Sequence, residues 1–452
     1  MKLWQKHKSV TDDKIEAFTV GQDREMDLHL AFADILTNMA HSFMLAQCGL
    51  MSMEEAKNIH TVLKSYLTGI EGGTFRMSPN VEDVHSQIEG WLTDKLGETG
   101  KKIHTARSRN DQVLTDIKLY LRHEILELGD LVKQLGLILL EQADRYKETL
   151  IPGYTHFQAA MYSSGGLWFS SFAENLADDL IVLKQTFEVI NQNPLGSGAG
   201  YGSTFSIDRE LTTTLLGFNG LHINSIHAQL QRGKTEWLMA TSLATIAHTT
   251  AILAYDLCLF NSQNFAFVEL PENFTTGSSI MPHKKNPDVF ELIRAKSNQI
   301  KSIPVQIQSI ISNLPSGYHR DFQILKEILF PAIGLMKDVI SMLSYAIPKI
   351  LFRQDILTSP IYKYLDSVNQ IQNMVSQGTS FRSAYESISS QIQQHTYRSG
   401  SSGEYSHTGS LGKLCLEDIK TKLMIRYDAF EANRIRQIEE SLIEGAHFNT
   451  RK

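Results

Sequence analysis

Val113, Ile117, Leu121, Ile125, Leu128, Leu131, Leu135 and Ile138 recur at three- and four-residue steps through a stretch, 111–146, that contains no proline. That spacing puts the apolar side chains on one stripe of an α-helix. Uninterrupted, the helix would run ~50 Å at ~1.5 Å per residue. The same patterning predicts helices over about 26–48, 167–190, 236–261, 288–311 and 326–347. Alternation of period two is scarce, so no substantial sheet is expected. The pattern reads as all-α, with unusually long central helices.

Residues 238–255 carry no formal charge. Thr241, Ser242, Thr245, His248, Thr249 and Thr250 interrupt their apolarity, and no basic cluster flanks them. A helix apolar nearly all round and dotted with small hydroxyls fits the centre of a helical assembly better than a membrane. Chain breaks are expected near 101–107, where Gly97, Gly100 and two lysines disturb the pattern, and near 348–360, after which helices shorten. These give domains 1–105, 106–355 and 356–452. Residues 398–412 are the most loop-like part of the last one, and no internal repeat is found. Gly, Pro and Ser concentrate in 151–166, 193–204 and 275–287, and loops between rigid helices are where chemistry is expected.

The chain has 452 residues, 42% of them hydrophobic and 20% charged, as in an ordinary globular protein. A formal charge of -6 gives no support for a nucleic-acid surface. Cys48, Cys258 and Cys415 are odd in number and far apart, which suggests reduced thiols rather than a disulfide framework. The first residues are basic without an apolar run, so a secretory signal is not expected and a cytoplasmic setting is.

The most informative stretch is 277–287, Gly-Ser-Ser-Ile-Met-Pro-His-Lys-Lys-Asn-Pro. Hydroxyls, two cations and a flexible backbone occur together, as needed to remove a proton beside a carboxylate and meet the resulting anion. Asn286-Pro287 reads as the N-cap and first residue of a helix, itself an anion-favouring place. A second cluster, His104-Thr105-Ala106-Arg107-Ser108-Arg109-Asn110-Asp111, precedes the long helix. Arg107 and Arg109 could fork onto carboxylates, with Asn110 and Asp111 where caps sit. Glu82-Asp83-Val84-His85-Ser86, taken alone, reads as a capping segment. His156 in Gly153-Tyr154-Thr155-His156-Phe157-Gln158 becomes chemically interesting only with a carboxylate partner, for which Glu291 is the candidate. The glycines of 196–202 do not have the spacing of a dinucleotide loop, and His123 lacks the second histidine of a zinc helix.

Together these clusters resemble the fumarase/aspartase superfamily and, within it, the argininosuccinate lyases. Residues 277–287 are similar to the superfamily's signature loop, and 104–113 to the segment that sets the argininosuccinate lyases apart. Residues 82–86, 152–158, 207–210 and 267–270 agree with the same branch, so the resemblance spans the chain in order. It implies an all-α homotetramer of three-domain subunits around a twenty-helix core. Active sites would form where three subunits meet, on a small-molecule substrate, with no cofactor or metal. It also implies reversible cleavage of argininosuccinate to arginine and fumarate, as in arginine biosynthesis. Ser279 would be the base or its relay, Lys285 would stabilise the aci-carboxylate intermediate, and His156 with Glu291 would complete the catalytic set. Ser108, Arg109, Asn110, Thr155, Asn286, Tyr318, Gln323 and Lys326 would bind substrate. A sister lyase acting on adenylosuccinate would want a nucleotide-phosphate site, for which little is found. A non-catalytic relative, like the lens delta-crystallins, fits poorly with retention of Ser279, Lys285, His156 and Glu291.

There are departures from the family pattern. Ala106 stands where glycine is usual, and Ala159-Ala160-Met161 replaces Arg-Ala-Gln. Arg232-Gly233-Lys234 appears for an acidic Asp-Arg-Asp segment, and Ala199-Gly200-Tyr201-Gly202 for Ala-Leu-Ala-Gly. Tyr318-His319-Arg320-Asp321 stands for Tyr-Asn-Lys-Asp, and the early serine motif is Thr19-Val20-Gly21-Gln22-Asp23. Apart from 318–321, these differences are taken to lie toward the amino-acid end of the substrate, which suggests that this end is read differently, in a way that would accept an N-acylated argininosuccinate.

Overall fold

The computed structural model describes residues 13–78, 81–400 and 403–449. Its centre is the helix Arg109–Arg145, 37 residues long and therefore about 56 Å from end to end. Ser108 caps it: the Ser108 hydroxyl accepts from the Asn110 amide at 3.2 Å, and the Asp111 carboxylate takes the Ser108 amide at 2.9 Å. The cap is thus Ser108, with Asp111 closing a capping box from the third helical position, and Asn110 lies inside the first turn.

This helix packs against Gly165–Ile190, Ile324–Ala346, Ala31–Gln47 and Leu416–Asp428. The nearly uncharged helix Lys234–Asn261 lies against Gly165–Ile190 and Ile324–Ala346. Its small hydroxyls latch neighbours: Thr249 donates to Asp179 at 2.7 Å, Ser242 pairs with Thr186 at 2.7 Å, and Thr250 meets Ser297 at 3.0 Å. Only half of its most apolar window is buried, however, and Ile252 and Tyr255 remain exposed. Within one chain it is a core helix on one face only.

Two expectations need correction. The predicted helix 288–311 is two helices, Asp288–Ile300 and Ile303–Ile311. Pro304, in the first turn of the second, has no N–H to continue the ladder and its ring clashes with the preceding turn. The region 151–166 is mainly a hairpin: β1 (Leu150–Thr155) pairs antiparallel with β2 (Gln158–Ser164), with an irregularity at Gly153/Tyr154. The pairing brings Thr155 opposite Gln158, leaving His156 and Phe157 as a two-residue turn. Their φ values of 53° and 59° match the primed turn that hairpins favour.

One hydrophobic core runs through all the long helices and reaches Leu442 near the C-terminus. A small separate core of Ile371, Ala384 and Ile388 joins Ser367–Ser376 to Phe381–Gln393.

Candidate active site

A cavity of about 590 Å³ opens beside the N-terminus of the Arg109–Arg145 helix. Four distant stretches of chain wall it, Asp23 with Asp27, residues 81–94 on and before helix Val84–Leu96, the start of Arg109–Arg145, and residues 318–326, joined by Lys101 and Arg232. Five of the expected binding residues, Arg109, Asn110, Tyr318, Gln323 and Lys326, line it together. Ser108 adjoins them, its hydroxyl used as the helix cap.

The walls are held by charge. Arg109 donates to Gln112 Oε1 at 3.0 Å and to Ser86 Oγ at 3.3 Å, with Asp83 3.5 Å from its Nε. Asp83 caps its own helix by accepting from the Ser86 amide at 2.7 Å, in keeping with the capping expectation. Lys326 lies 2.5 Å from both Asp23 and Asp27. Burial disfavours a charged Lys326, but Asp27 and Asp23 more than offset this and raise its pKa. Burial lifts Asp23 to about 6 in spite of Lys326. Gln323 donates to Thr19 O at 2.9 Å and Val20 O at 3.1 Å, and Arg320 donates to Thr19 O at 2.8 Å. Arg232, on Glu236 at 3.2 Å, completes a lining that contains both cations and carboxylates. Such a lining suits a ligand that itself carries both carboxylate and cationic groups.

Behind this wall lies a buried polar cluster. His85 Nδ1 is 2.9 Å from Asp34 Oδ1 and 3.2 Å from Asp116 Oδ2, and all three side chains are buried. Asp34 also accepts from Gln112 at 2.6 Å and Asn38 at 3.0 Å, and Asp116 from Thr37 at 2.5 Å. Burial opposes a charge on His85, and Asp34 and Asp116 reverse this, pushing its pKa up to about 10. Burial also opposes ionisation of Asp34, yet His85 and Arg107 hold it low, whereas burial and Asp34 together push Asp116 up. Arg107 turns inward to Asn38 Oδ1 at 2.8 Å, so of the two arginines only Arg109 reaches the cavity.

The glycine-rich segment serves this framework. Gly196, Gly198, Gly200 and Gly202 all have positive φ, and the amides of Gly196 and Gly198 reach Asp111 Oδ2 at 2.9 and 2.8 Å. The loop is a nest for an internal carboxylate, which ties it to the start of the long helix.

The remaining expected residues lie elsewhere on the subunit. The loop 275–287 is closed by Thr276 and Asn286, whose backbones exchange hydrogen bonds of 3.2 and 2.9 Å. The Asn286 side chain donates to Thr276 Oγ1 at 3.3 Å. The helix after it begins at Asp288 with Pro287 as its cap, one residue later than expected, because Asn286 is engaged in this bridge. Inside the loop, Ser278 Oγ takes the amides of Ile280 and Met281 at 3.4 and 3.2 Å. Ser279 and Lys285 are exposed and form no hydrogen bond or ion pair among the described residues. Thr155 and His156 sit exposed at the hairpin tip, and Glu291 is exposed on its helix. Among the described residues His156 and Glu291 are not joined, and none of Thr155, His156, Ser279, Lys285, Asn286 or Glu291 lines the cavity.

Asp27, Asp34, Asp116 and Glu89 have no role in the sequence pattern, and Asp23 enters it only as the end of the 19–23 motif. A signal existed: Asp34, Asn38 and His41 recur at helical spacing inside an otherwise apolar helix, as do Gln112 and Asp116. Polar residues on a core-facing stripe mark a buried network.

Comparison with known proteins places the chain among lyases. A family described as Lyase matches residues 6–301. An argininosuccinate lyase from Bacteroides fragilis is 48% identical over 442 residues, covering 98% of this chain and 99% of that protein. The fold is similar to EDDS lyase in complex with formate, with a TM-score of 0.76 at 19% identity over 97% of this chain and 95% of the other. It is also similar to a class II fumarase from Schistosoma mansoni, with a TM-score of 0.69 at 16% identity over 85% and 91% of the two chains.

Proposed function

Given that this chain belongs to the argininosuccinate lyase family, within the fumarase/aspartase superfamily, we propose that it cleaves argininosuccinate reversibly to arginine and fumarate by β-elimination, in arginine biosynthesis. The geometric observation that carries the reading is the cavity that gathers Arg109, Asn110, Tyr318, Gln323 and Lys326 from distant segments. Its mixed charge suits a substrate with several carboxylates, an amine and a guanidinium group. Release of fumarate from argininosuccinate, followed by ultraviolet absorbance, is the expected activity; a pure, folded protein that binds argininosuccinate and releases none overturns the reading.

The reaction removes a proton from carbon beside a carboxylate, then breaks the bond to the guanidino nitrogen. We assign proton removal to Ser279, directly or as a relay. Ser278 is committed to its own turn, so Ser279 is the hydroxyl available at the loop tip. A serine needs a nearby positive field to act this way, and Lys285 with the helix start at Asp288 supplies it when the loop closes. Lys285 and Asn286 then meet the dianionic intermediate, and one such preorganised donor is worth ~3–4 kcal/mol. His156, which the assembled site would bring to Glu291, hands a proton to the departing nitrogen. Ser279→Ala should cut turnover by roughly 10³-fold with little change in substrate binding; turnover near wild type removes Ser279 from the mechanism.

We further assign a homotetramer with shared active sites, in the cytoplasm. Support comes from the exposed, unpaired positions of the Ser279 loop and the His156 turn, away from the cavity, and from the open apolar face around Ile252 and Tyr255. The three cysteines are unpaired, as in a reducing compartment.

A second reading concerns specificity. Asp23, Arg232 and Arg320, from three of the segments that depart from the family pattern, all line the cavity. This placement supports our reading that the amino-acid end is recognised differently, in a way that accepts an N-acylated argininosuccinate. Comparing kcat/KM for free and N-acylated substrates tests it, and a strong preference for the free form ends it.

A further inference from the structure

His85 is the cavity-lining group whose arrangement a capping role does not explain. Its ring is 1% exposed, yet it forms part of the cavity wall. Nδ1 is occupied by Asp34 at 2.9 Å and Asp116 at 3.2 Å, on two different helices. Among the described residues Nε2 has no hydrogen-bond partner. A buried ring nitrogen without a partner is costly, and proteins rarely leave one so at a cavity unless a ligand completes it.

The surroundings define which ligand atom fits. The two carboxylates on Nδ1 favour an imidazolium, so Nε2 carries a proton and can only donate. Arg109 and Asn110 line the same cavity, and the Ser86 hydroxyl beside His85 in sequence holds Arg109 at 3.3 Å. Donors from two helix starts therefore share one cavity, where Arg109 also faces Asp83 at 3.5 Å and Glu89 at 3.9 Å, and an anionic oxygen is the ligand atom that suits these donors. The clamp also fixes the ring, because Asp34 is anchored by Gln112 and Asn38, and Asp116 by Thr37.

We propose that His85 is a substrate-binding residue, whose Nε2–H donates a hydrogen bond to a carboxylate oxygen of the substrate in this cavity. The buried Asp34 and Asp116 are then positioning residues, which hold the imidazole charged and oriented. The inference depends on the lyase reading only for the identity of the ligand.

Two substitutions separate this role from a structural one. Asparagine places an amide near the position of Nδ1 and nothing at Nε2, whereas glutamine reaches the Nε2 position and gives up Nδ1. A merely structural histidine is better replaced by asparagine. The proposed role reverses that order: His85→Asn should raise KM by roughly 10- to 100-fold, the range of a charge-assisted hydrogen bond, while His85→Gln keeps a KM closer to wild type. Inhibition by arginine and by fumarate, measured separately, identifies the carboxylate involved, because only one of the two should weaken in His85→Asn. A wild-type KM in His85→Asn, or losses in both variants that follow thermal stability alone, overturns the proposal. Should neither variant fold, a crystal structure of the wild-type enzyme with arginine and fumarate decides: a ligand oxygen at hydrogen-bond distance from Nε2 supports it, and a protein atom or no ligand atom there refutes it. Fumarate release by the wild type tests the lyase reading separately, so the two can fail independently.

Discussion

Ala106 and His85 show how much single residues decide here. Ala106 has φ 60°, in the left-handed region where a Cβ crowds the backbone and glycine does not. That accounts for the glycine usual at this place in the family. Ala106→Gly should therefore stabilise the protein by about 0.5–1 kcal/mol, relieved strain outweighing the extra freedom of the unfolded chain; chemical denaturation reads the difference, and a destabilised variant contradicts it. His85 makes a pH-dependent contribution of known sign. Its folded pKa, about 10, lies above its ordinary value of 6.5, so its stabilisation is complete below pH 6.5 and is lost as pH rises toward 10. Wild-type stability should fall across that window more steeply than that of His85→Gln, and parallel curves for the two would remove the charge on His85. In the sequence His85 reads as part of a cap, because its partners Asp34 and Asp116 are 51 and 31 residues away and only packing unites them.

Among the elements, long amphipathic helices were the easiest to read, since their stripe is written locally. The expected helices at 167–190 and 236–261 match Gly165–Ile190 and Lys234–Asn261 to within a few residues. The errors fell where a backbone choice depends on a neighbour. The hairpin β1–β2 carries no alternating pattern, and its tip uses His156 and Phe157 at positive φ rather than the Asn-Gly such a turn prefers. Non-glycine residues held there cost of order 1–3 kcal/mol each, strain that is typical of functional tips. Close packing between helices is equally invisible locally. A Cβ on Gly166 would stand 2.6 Å from both Ala143 O and Lys147 Cα, backbone that cannot swing aside. Gly166→Ala should cost about 1–3 kcal/mol by separating Gly165–Ile190 from the end of Arg109–Arg145. Denaturation of the purified variant measures it, and a neutral result would mean that the two helices slide freely.

At the scale of the molecule, the residues assigned to binding and to chemistry lie apart on the single chain. The cavity gathers Arg109, Asn110, Tyr318, Gln323 and Lys326, while Ser279, Lys285, His156 and Glu291, the groups assigned to chemistry, are exposed away from it. If each site combines segments of different subunits, mixing inactive Arg109→Ala and Ser279→Ala proteins and letting them reassociate should restore part of the activity, because some sites then receive one intact contribution of each kind. Activity that stays at the level of the separate variants would place the whole site within one subunit. Light scattering should return about four times the chain mass of 51.0 kDa.

The sequence by itself determined the helical class, the long central helix and the clusters at 82–86, 104–111, 152–158 and 277–287, because periodicity, caps and turn chemistry act over a few residues. Tertiary structure alone decided that Asp34 and Asp116 grip His85, that Asp111 gathers the glycine loop, and that Lys326 meets Asp23 and Asp27 at the cavity. Those are contacts between charges far apart in the chain, whose strength depends on exclusion of water, and no local pattern specifies which buried group will face which.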